Sequence, residues 1–188
     1  MNVYDFDGTI YEGDSSLDFY KYCVKKHPQI LFCLPKQIWG MFLYYLRIKN
    51  KTKFKEHFFS FLERIDNIDY EVREFWDLHE NRIKSWYVAQ QRSDDLVISA
   101  SPEFLLKEIC DRKSIYRLIA SDVDKRNGHF KSLNCYGKEK QRRLEHSNFE
   151  EPIENFYSDS LSDAPLAEIA KSAFIVQGDK LFAWERSK

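Results

Sequence analysis

After residue 92 the sequence alternates between short apolar segments and amphipathic ones, and this alternation restricts the possible fold more than any other feature. DLVISA (94–99) is rich in β-branched residues and is predicted to be a strand. SPEFLLKEI follows directly, with Ser101 as the expected N-cap and Pro102 as the expected first residue of a helix. Strands that alternate with helices favour a parallel sheet covered by helices. The predicted fold class is therefore α/β, with a Rossmann-like parallel sheet at its core.

The same alternation continues to the end of the chain. The later predicted elements are the strand IYRLIAS (115–121), a hairpin turn at Asn127-Gly128, the helix KEKQRRLEH (138–146), the strand NFYS (155–158), the helix DAPLAEIAK (163–171), and the strands AFIV (173–176) and KLFAW (180–184) around the turn Gly178-Asp179. One further strand, NVY (2–4), stands far upstream of all of them. It is expected to join the same sheet.

Residues 15–92 separate that first strand from the rest and show a different residue pattern. They are rich in aromatic residues at helical spacing and are expected to form four helices. The aromatic residues of 39–61 are expected to belong to the core. The faces expected to be buried carry Leu17, Tyr20 and Val24 on one helix and Phe54, Phe58, Phe61 and Leu62 on another. The predicted organisation is an α/β core of residues 1–14 and 93–188, interrupted by a helical insertion at 15–92.

The overall charge and the cysteine pattern exclude several classes of protein. A formal net charge of −1 and a mean hydropathy of −0.58 give no general attraction to nucleic acid or to anionic lipid, and no nucleic-acid partner is expected. The most apolar stretch, residues 30–48, is interrupted by Pro35, Lys36 and Gln37. We interpret it as a buried or interface helix without stable membrane insertion, with contact at a membrane surface as the alternative. Four scattered cysteines without close pairs fit a reducing compartment, and a cytoplasmic location is expected.

Charged and hydroxyl side chains fall where predicted strands end or where nearby helices begin. Asp5 and Asp7 follow the first strand, Ser99 ends the second, and Asp159 follows NFYS. Asp163 lies four residues further on, and Lys140 lies near the start of the preceding helix. Ligands of open α/β sheets bind beyond the carboxyl ends of the strands, so these residues are expected around one crevice. Clustered carboxylates need a neutralising cation, and all-oxygen ligands suit Mg²⁺.

These residues also occur in motifs that resemble a known family. DFDGT (5–9), the apolar run that ends at Ser99, Lys140 in YGKEKQRRL, and SDSLSD (158–163) resemble the four motifs of the haloacid dehalogenase-like hydrolase superfamily. The order is correct and the match extends over the whole chain. The helical insertion after the first motif resembles the cap (C1 type) of the phosphoserine-phosphatase-like branch, subfamily IB. The resemblance implies a Mg²⁺-dependent phosphatase acting on a small phosphorylated metabolite.

The resemblance also implies a role for each motif residue. Asp5 would be the nucleophile that forms an aspartyl-phosphate, and Asp7 would be the general acid and base. The metal ligands would be Asp5, the backbone carbonyl of Asp7, and Asp159, with Asp163 supporting them. The residues expected to bind the phosphoryl group or the substrate are Thr9, which would also fix the first loop, Asp14, Ser99 and Lys140.

Several alternatives stay open at the level of sequence. Lys138 competes with Lys140 as the phosphate-binding lysine, although the spacing to Leu144 favours Lys140. Asp14 occupies the position where phosphoserine phosphatases have a glutamate, so phosphoserine is not established as the substrate. A lipid phosphomonoester phosphatase and a phosphotransferase are the alternative functions. The basic run KNKTKFK (49–55) is typical of a solvated helix start, with contact to an anionic substrate as the alternative. The oligomeric state is not readable from the sequence.

Overall fold

One six-stranded sheet forms the centre of the computed structural model, which describes residues 1–48 and 50–185. The strands are β1 (Asn2–Tyr4), β2 (Leu96–Pro102), β3 (Arg117–Ser121), β4 (Asn155–Ser158), β5 (Ser172–Gln177) and β6 (Lys180–Ala183). Their order across the sheet is β3-β2-β1-β4-β5-β6. The first five are parallel, and β6 pairs with β5 in the antiparallel direction through the predicted turn at Gly178-Asp179. The α/β fold class predicted from the sequence is confirmed.

Helices cover both faces of the sheet, and most of them lie between β1 and β2. The α-helices of the described residues are α1 (Ser15–Lys26), α2 (Leu34–Tyr45), α3 (Lys51–Phe59), α4 (Ile68–His79), α5 (Ser85–Gln90), α6 (Glu103–Arg112), α7 (Lys138–Glu145) and α8 (Ala164–Ile169). The long stretch between β1 and β2 is helical, as the sequence predicts. The exact boundaries of the insertion, residues 15 and 92, stay a prediction.

The alternating side chains of β1 supply two hydrophobic cores, one on each face of the sheet. Val3 points into a cluster with Leu144 of α7 and Leu166 of α8. Tyr4 belongs to a larger cluster on the other face, which also contains α6 and the buried aromatic residues of the helical insertion. Trp76 of α4 donates a hydrogen bond from Nε1 to the Leu105 carbonyl at 2.7 Å. The helical insertion is thus joined to the sheet by a shared core.

Parts of the helical prediction are wrong. Among its described residues the insertion contains five α-helices instead of four, because Ile83 forms an antiparallel bridge with Tyr11 and interrupts the last predicted helix. In α1 the buried apolar side chains are Phe19 and Cys23, whereas Leu17 is 43% exposed. In the second predicted face, Phe61 and Leu62 are buried as expected, while Phe54 and Phe58 are only partly covered. Apart from the break at Ile83, the helices lie where the periodicity predicts them, and the inward face of α1 is about one position away from its prediction.

The helix α2 also departs from the sequence-based expectation. Its only fully buried residue is Gly40, and most of its aromatic and aliphatic side chains face outward. The prediction that the aromatic residues of 39–61 belong to the core is therefore wrong for this helix. Among the residues that the structure describes, no helix is long and apolar enough to cross a membrane.

The junction between β2 and α6 differs from its prediction as well. Ser101 and Pro102 continue β2, and Pro102 pairs with Ser121 of β3 after a register shift. Ser101 is thus not the N-cap of α6, and Pro102 is not its first residue. Pro102 occupies the cap position in an extended conformation without a side-chain capping bond. A bulge of this kind redirects a side chain near the end of a strand.

Candidate active site

A cavity of about 620 Å³ lies beyond the carboxyl ends of β1, β2 and β4. It is lined by most of the residues singled out from the sequence: Asp5, Asp7, Asp14, Ser99, Lys140, Asp159 and Asp163. Thr9 is buried next to it. The strand order puts β1 between β2 and β4, where the direction of the chain connections reverses, and this is where open α/β sheets bind ligands.

Asp5 belongs to a buried group of charges at the floor of the cavity. The Lys140 ammonium donates to Asp5 Oδ1 at 2.7 Å and to Asp163 Oδ2 at 2.6 Å. Burial raises the pKa of Asp5 to about 7, with Lys140 opposing the rise and Asp163 adding to it. Burial alone would lower the pKa of Lys140, but these two carboxylates raise it above its ordinary value and so favour the charged form of the lysine. Lys138, the alternative candidate for the phosphate-binding lysine, is exposed to solvent.

Asp7 is held in a fixed orientation by two hydrogen bonds. The Ser15 backbone N–H donates to Oδ1 at 2.7 Å, and the Ser101 hydroxyl donates to Oδ2 at 2.5 Å. Burial and the nearby charge of Asp14 raise the pKa of Asp7, and the serine donors oppose that rise. A carboxyl group with a raised pKa and a locked orientation suits proton transfer in both directions.

Asp159 and the first loop are bound to each other. The Asp159 backbone N–H donates to Thr9 Oγ1 at 2.9 Å, which fastens the loop after β4 to the loop after β1. Gly8 has φ +72°, and a Cβ at that position would lie 2.0 Å from Asp159 Oδ2. Only glycine accepts both this conformation and this close approach. The contact brings the Asp159 carboxylate against the backbone of the DFDGT loop.

The donor set of this crevice fits a hard divalent cation. Asp5, Asp159 and the backbone carbonyl of Asp7 offer oxygen atoms only, which suits Mg²⁺. Burial raises the pKa of Asp159 as it does that of Asp5, so an added cation would stabilise the ionised form of both carboxylates. Asp163 Oδ1 is buried and has no hydrogen-bond partner among the described residues. Across residues 1–48 and 50–185, no group of three His, Cys, Asp or Glu side chains is arranged to hold a metal ion. The donor set described here is of a different kind, because only two of its three donors are carboxylates and the third is a backbone carbonyl.

The wall opposite these carboxylates comes from the helical insertion. Leu17 of α1 and Phe54 and Phe58 of α3 give it an apolar surface, and Lys51 and Lys55 add positive charge. The Lys55 ammonium donates to the Ala100 carbonyl at 2.7 Å, and burial lowers the pKa of Lys55 to about 8. Asp14 accepts a hydrogen bond from Leu17 N at 2.9 Å and thereby caps α1, while its side chain also borders the cavity.

The sequence does not reveal every residue of this site. Its pattern predicts a helix cap at Ser101, yet the Ser101 hydroxyl binds Asp7. Ser15 acts through a backbone N–H, which no side-chain pattern predicts. Lys51 and Lys55 lie four residues apart in the basic run 49–55, and that helical spacing is the available signal for a charged wall.

A parallel α/β sheet with a buried lysine–aspartate contact at its strand ends defines the class of α/β proteins that hold a ligand at the switch point of the sheet. The family comparison is consistent with this class, since residues 3–168 match the model of haloacid dehalogenase-like hydrolases. The chain belongs to this family. The family resemblance noted in the sequence is thereby confirmed.

Solved structures support the fold. A protein of unknown function from Bordetella pertussis Tohama I is similar with a TM-score of 0.73 at 18% identity, over 89% of this chain and 85% of that one. A phosphoserine phosphohydrolase-like protein from Francisella tularensis subsp. tularensis SCHU S4 is similar with a TM-score of 0.59 at 16% identity, over 95% and 88%. Cytosolic 5'-nucleotidase IIIB bound to cytidine is similar with a TM-score of 0.54 at 12% identity, over 90% of this chain and 68% of that one. No curated protein matches the chain.

Proposed function

We propose that this protein is a Mg²⁺-dependent phosphatase that hydrolyses small phosphomonoesters through an aspartyl-phosphate on Asp5. The observation that carries the proposal is the buried contact between the Lys140 ammonium and Asp5, with the oriented carboxyl group of Asp7 lining the same cavity. Lys140 supplies a fixed positive charge for a phosphoryl oxygen. The phosphatase-like neighbours in structure agree with this class of reaction.

The first chemical step transfers the phosphoryl group to the protein. A carboxylate oxygen of Asp5 forms a bond to phosphorus while the bond from phosphorus to the alcohol oxygen breaks. Asp7 gives its proton to the leaving alcohol, and its raised pKa favours the protonated form that this step requires. Ser99 lines the cavity and offers a hydroxyl to the phosphoryl oxygens.

The second step returns Asp5 to its free state. The ionised Asp7 takes a proton from a water molecule whose oxygen attacks phosphorus, and the bond from phosphorus to Asp5 breaks. Inorganic phosphate leaves, and both carboxyl groups regain their starting protonation. The two hydrogen bonds to Asp7 keep its carboxyl group in one orientation for both proton transfers.

Mg²⁺ would be held by Asp5, Asp159 and the backbone carbonyl of Asp7. When bound, it supplies positive charge that neutralises the phosphoryl oxygens and the clustered carboxylates. Asp163 would support the site indirectly, because it accepts hydrogen bonds from Lys140 and from the Ser158 hydroxyl at 2.8 Å. Thr9 would hold the two loops that carry the ligands together.

The helical insertion would act as the cap that selects the substrate. Its boundaries are proposed at residues 15 and 92, and its α3 contributes Lys51, Phe54 and Lys55 to the cavity wall. Lys51 and Lys55 favour an anionic metabolite, while Asp14 adds a negative charge at the N-terminus of α1. We place the enzyme in the cytoplasm because all four cysteines are buried free thiols, which suits a reducing compartment.

The test is phosphate release from p-nitrophenyl phosphate with and without added Mg²⁺. We expect wild-type protein to turn over only with Mg²⁺ and Asp5→Asn protein to be inactive, since an amide cannot form the aspartyl-phosphate. Asp111→Asn is the matched control, because Asp111 is an exposed aspartate in a surface ion pair with Lys107. Undiminished turnover by Asp5→Asn protein would contradict the nucleophile assignment. Release of p-nitrophenol that needs an added alcohol, with the phosphoryl group transferred to that alcohol and not released as phosphate, would identify a phosphotransferase instead.

A lipid phosphomonoester is the second candidate substrate. The observation that favours it is the apolar cap wall, in which Phe54 both lines the cavity and stacks on Tyr44 of α2, with ring centroids 5.2 Å apart. This contact joins the cavity to the exposed surface of α2. Comparing phosphate release from water-soluble phosphomonoesters and from lysophosphatidate distinguishes the two substrate classes.

A further inference from the structure

One helix exposes an apolar surface that the chemistry described above does not use. The outward side of α2 carries Ile38, Trp39, Met41, Phe42 and Tyr45, which we call the α2 face. Trp39 is 57% exposed and Tyr45 is 84% exposed, and the Trp39 and Phe42 rings stack on each other at 5.6 Å. The segment from Ile38 to Leu46 contains no charged side chain and no amide or aliphatic hydroxyl. Continuous apolar surface of this kind marks an interaction site.

The opposite side of α2 explains why this surface faces outward. Gly40 lies against His57 of α3 so closely that a Cβ would come within 2.3 Å of the histidine Cβ. Gln37 donates to the Phe58 carbonyl at 2.8 Å, and Tyr44 stacks on Phe54. The inward side is therefore fixed by a small residue, an amide and one ring. The larger apolar side chains of the α2 face are held on the outside.

The sequence around this face is rich in basic residues. Residues 19–55 contain nine Lys and Arg and no Asp or Glu, although the whole chain has 29 basic and 30 acidic residues. The rest of the chain therefore has 20 basic and 30 acidic residues, a formal charge of −10. Lys36 and Arg47 flank the α2 face and are exposed. Other basic residues of this segment are engaged elsewhere, since Lys26 forms an ion pair with Glu71 and Lys51 and Lys55 line the cavity. Lys36 forms an ion pair with Glu63 at 3.6 Å, in which both side chains are about half exposed. The attraction to an anionic surface therefore rests on the exposed Lys36 and Arg47.

We propose that the α2 face docks the protein peripherally on an anionic lipid bilayer. A helix with tryptophan, tyrosine and aliphatic side chains on one side and basic residues at its flanks is suited to the bilayer interface. The basic flank adds attraction to anionic headgroups at the membrane surface. A second copy of the chain is a poorer occupant, because the exposed basic flanks of two copies would face and repel each other. The inference is independent of the catalytic proposal.

Co-sedimentation with vesicles tests this docking. We expect wild-type protein to bind vesicles of phosphatidylcholine mixed with phosphatidylglycerol, and to bind pure phosphatidylcholine vesicles much more weakly. The double variant Trp39→Ser/Phe42→Ser should lose about tenfold or more in partitioning, because it removes the two stacked rings of the α2 face. Tyr116→Ser/Leu78→Ser is the matched control, since both residues are exposed apolar side chains outside the α2 face. It should bind as wild type does.

Charge-reversal variants provide a second test of the docking in the same vesicle experiment. Lys36→Glu/Arg47→Glu should weaken binding to the anionic vesicles, whereas Lys107→Glu/Lys131→Glu, at exposed lysines elsewhere, should not. Asp5→Asn protein should bind vesicles like wild type, which separates docking from catalysis. Far-ultraviolet circular dichroism checks that each variant is folded. No vesicle binding, equal binding by the Trp39→Ser/Phe42→Ser protein, or a wild-type dimer that this variant loses in light scattering would each overturn the proposal.

Discussion

The Ser101 hydroxyl sets the orientation of the Asp7 carboxyl group at the level of a single residue. It donates to Asp7 at 2.5 Å and also contacts the Ser16 hydroxyl at 2.9 Å, so it links β2 to the start of α1. Its backbone N–H donates to Ser99 Oγ at 3.1 Å. One residue thus connects the proposed acid–base group with a proposed phosphate-binding hydroxyl. A positioning role of this kind is testable through the pH dependence of the reaction.

We expect Ser101→Ala to lower kcat by about tenfold and to move the basic limb of the kcat/KM profile to higher pH. The hydroxyl stabilises the ionised form of Asp7, so its loss raises the pKa of Asp7 and keeps the acid protonated to higher pH. The profile of p-nitrophenyl phosphate hydrolysis measures both effects. Ser147→Ala is the control, because that hydroxyl bonds to the Leu144 carbonyl and the Phe149 N–H, away from the cavity. An unshifted profile would show that Ser101 does not act on Asp7.

The sequence predicts that Asp5, Lys140 and Asp159 lie close together, and they line one cavity, whereas it does not predict the place of Ser101. The reason is physical. Asp5 and Asp159 follow strands whose ends are visible as apolar runs, and parallel strands bring such ends together. The assignment of Ser101 depends on where β2 stops. Pairing of Pro102 with Ser121 lengthens that strand, and this long-range contact leaves no local signal.

At the scale of an element, β2 begins beside a buried carboxyl group that is only partly satisfied. Asp95 Oδ2 accepts a hydrogen bond from Arg92 N at 2.8 Å, while Oδ1 has no partner among the described residues. Burial raises the pKa of Asp95 to about 6, from an ordinary value of 3.8. The ionised form is therefore destabilised in the folded protein relative to the unfolded chain.

We expect Asp95→Asn to stabilise the protein at pH 8 by roughly 1 kcal/mol after solvent screening is allowed for. Because the folded pKa lies above the unfolded value, the wild type loses stability as pH rises from about 4 through about 6, and then stays level. The asparagine variant lacks this titration, so its advantage should be largest above pH 7 and disappear near pH 4. Urea unfolding at several pH values measures the difference. A pH-independent difference would contradict the assigned pKa.

The helix α2 shows that an apolar sequence pattern can predict a helix without predicting which of its sides is buried. IWGMFLYYL contains no charged or amide residue that could mark a solvent-facing side, so its sequence predicts a helix without predicting which side is buried. The close approach of Gly40 to His57 decides it, and that contact depends on α3. The buried faces of α1 and α3 are misplaced for a similar reason, because packing partners choose among adjacent apolar residues.

At the scale of the whole molecule, the site exists only when distant parts of the chain are folded together. Asp5 and Lys140 are 135 residues apart in sequence and 2.7 Å apart in space. Ser99 and Asp159 arrive from β2 and from the loop after β4, and the central position of β1 brings them to either side of Asp5. A ligand that spans these groups binds the folded state alone. It should therefore stabilise the entire fold.

We expect Mg²⁺ together with beryllium fluoride, which mimics a phosphoryl group on Asp5, to raise the melting temperature. At about one hundred times the dissociation constant the gain is about 2.7 kcal/mol, which corresponds to roughly 5–10 °C for a domain of this size. Asp159→Asn should abolish most of this shift, because it removes a proposed Mg²⁺ ligand. Asp111→Asn, at an exposed aspartate outside the cavity, should keep it. The ligand-induced shift is compared within each variant, because removing a buried carboxylate changes the melting temperature of the free protein as well. An equal shift in wild-type and Asp159→Asn proteins would mean that the metal binds without Asp159, and the ligand set proposed for this crevice would be wrong.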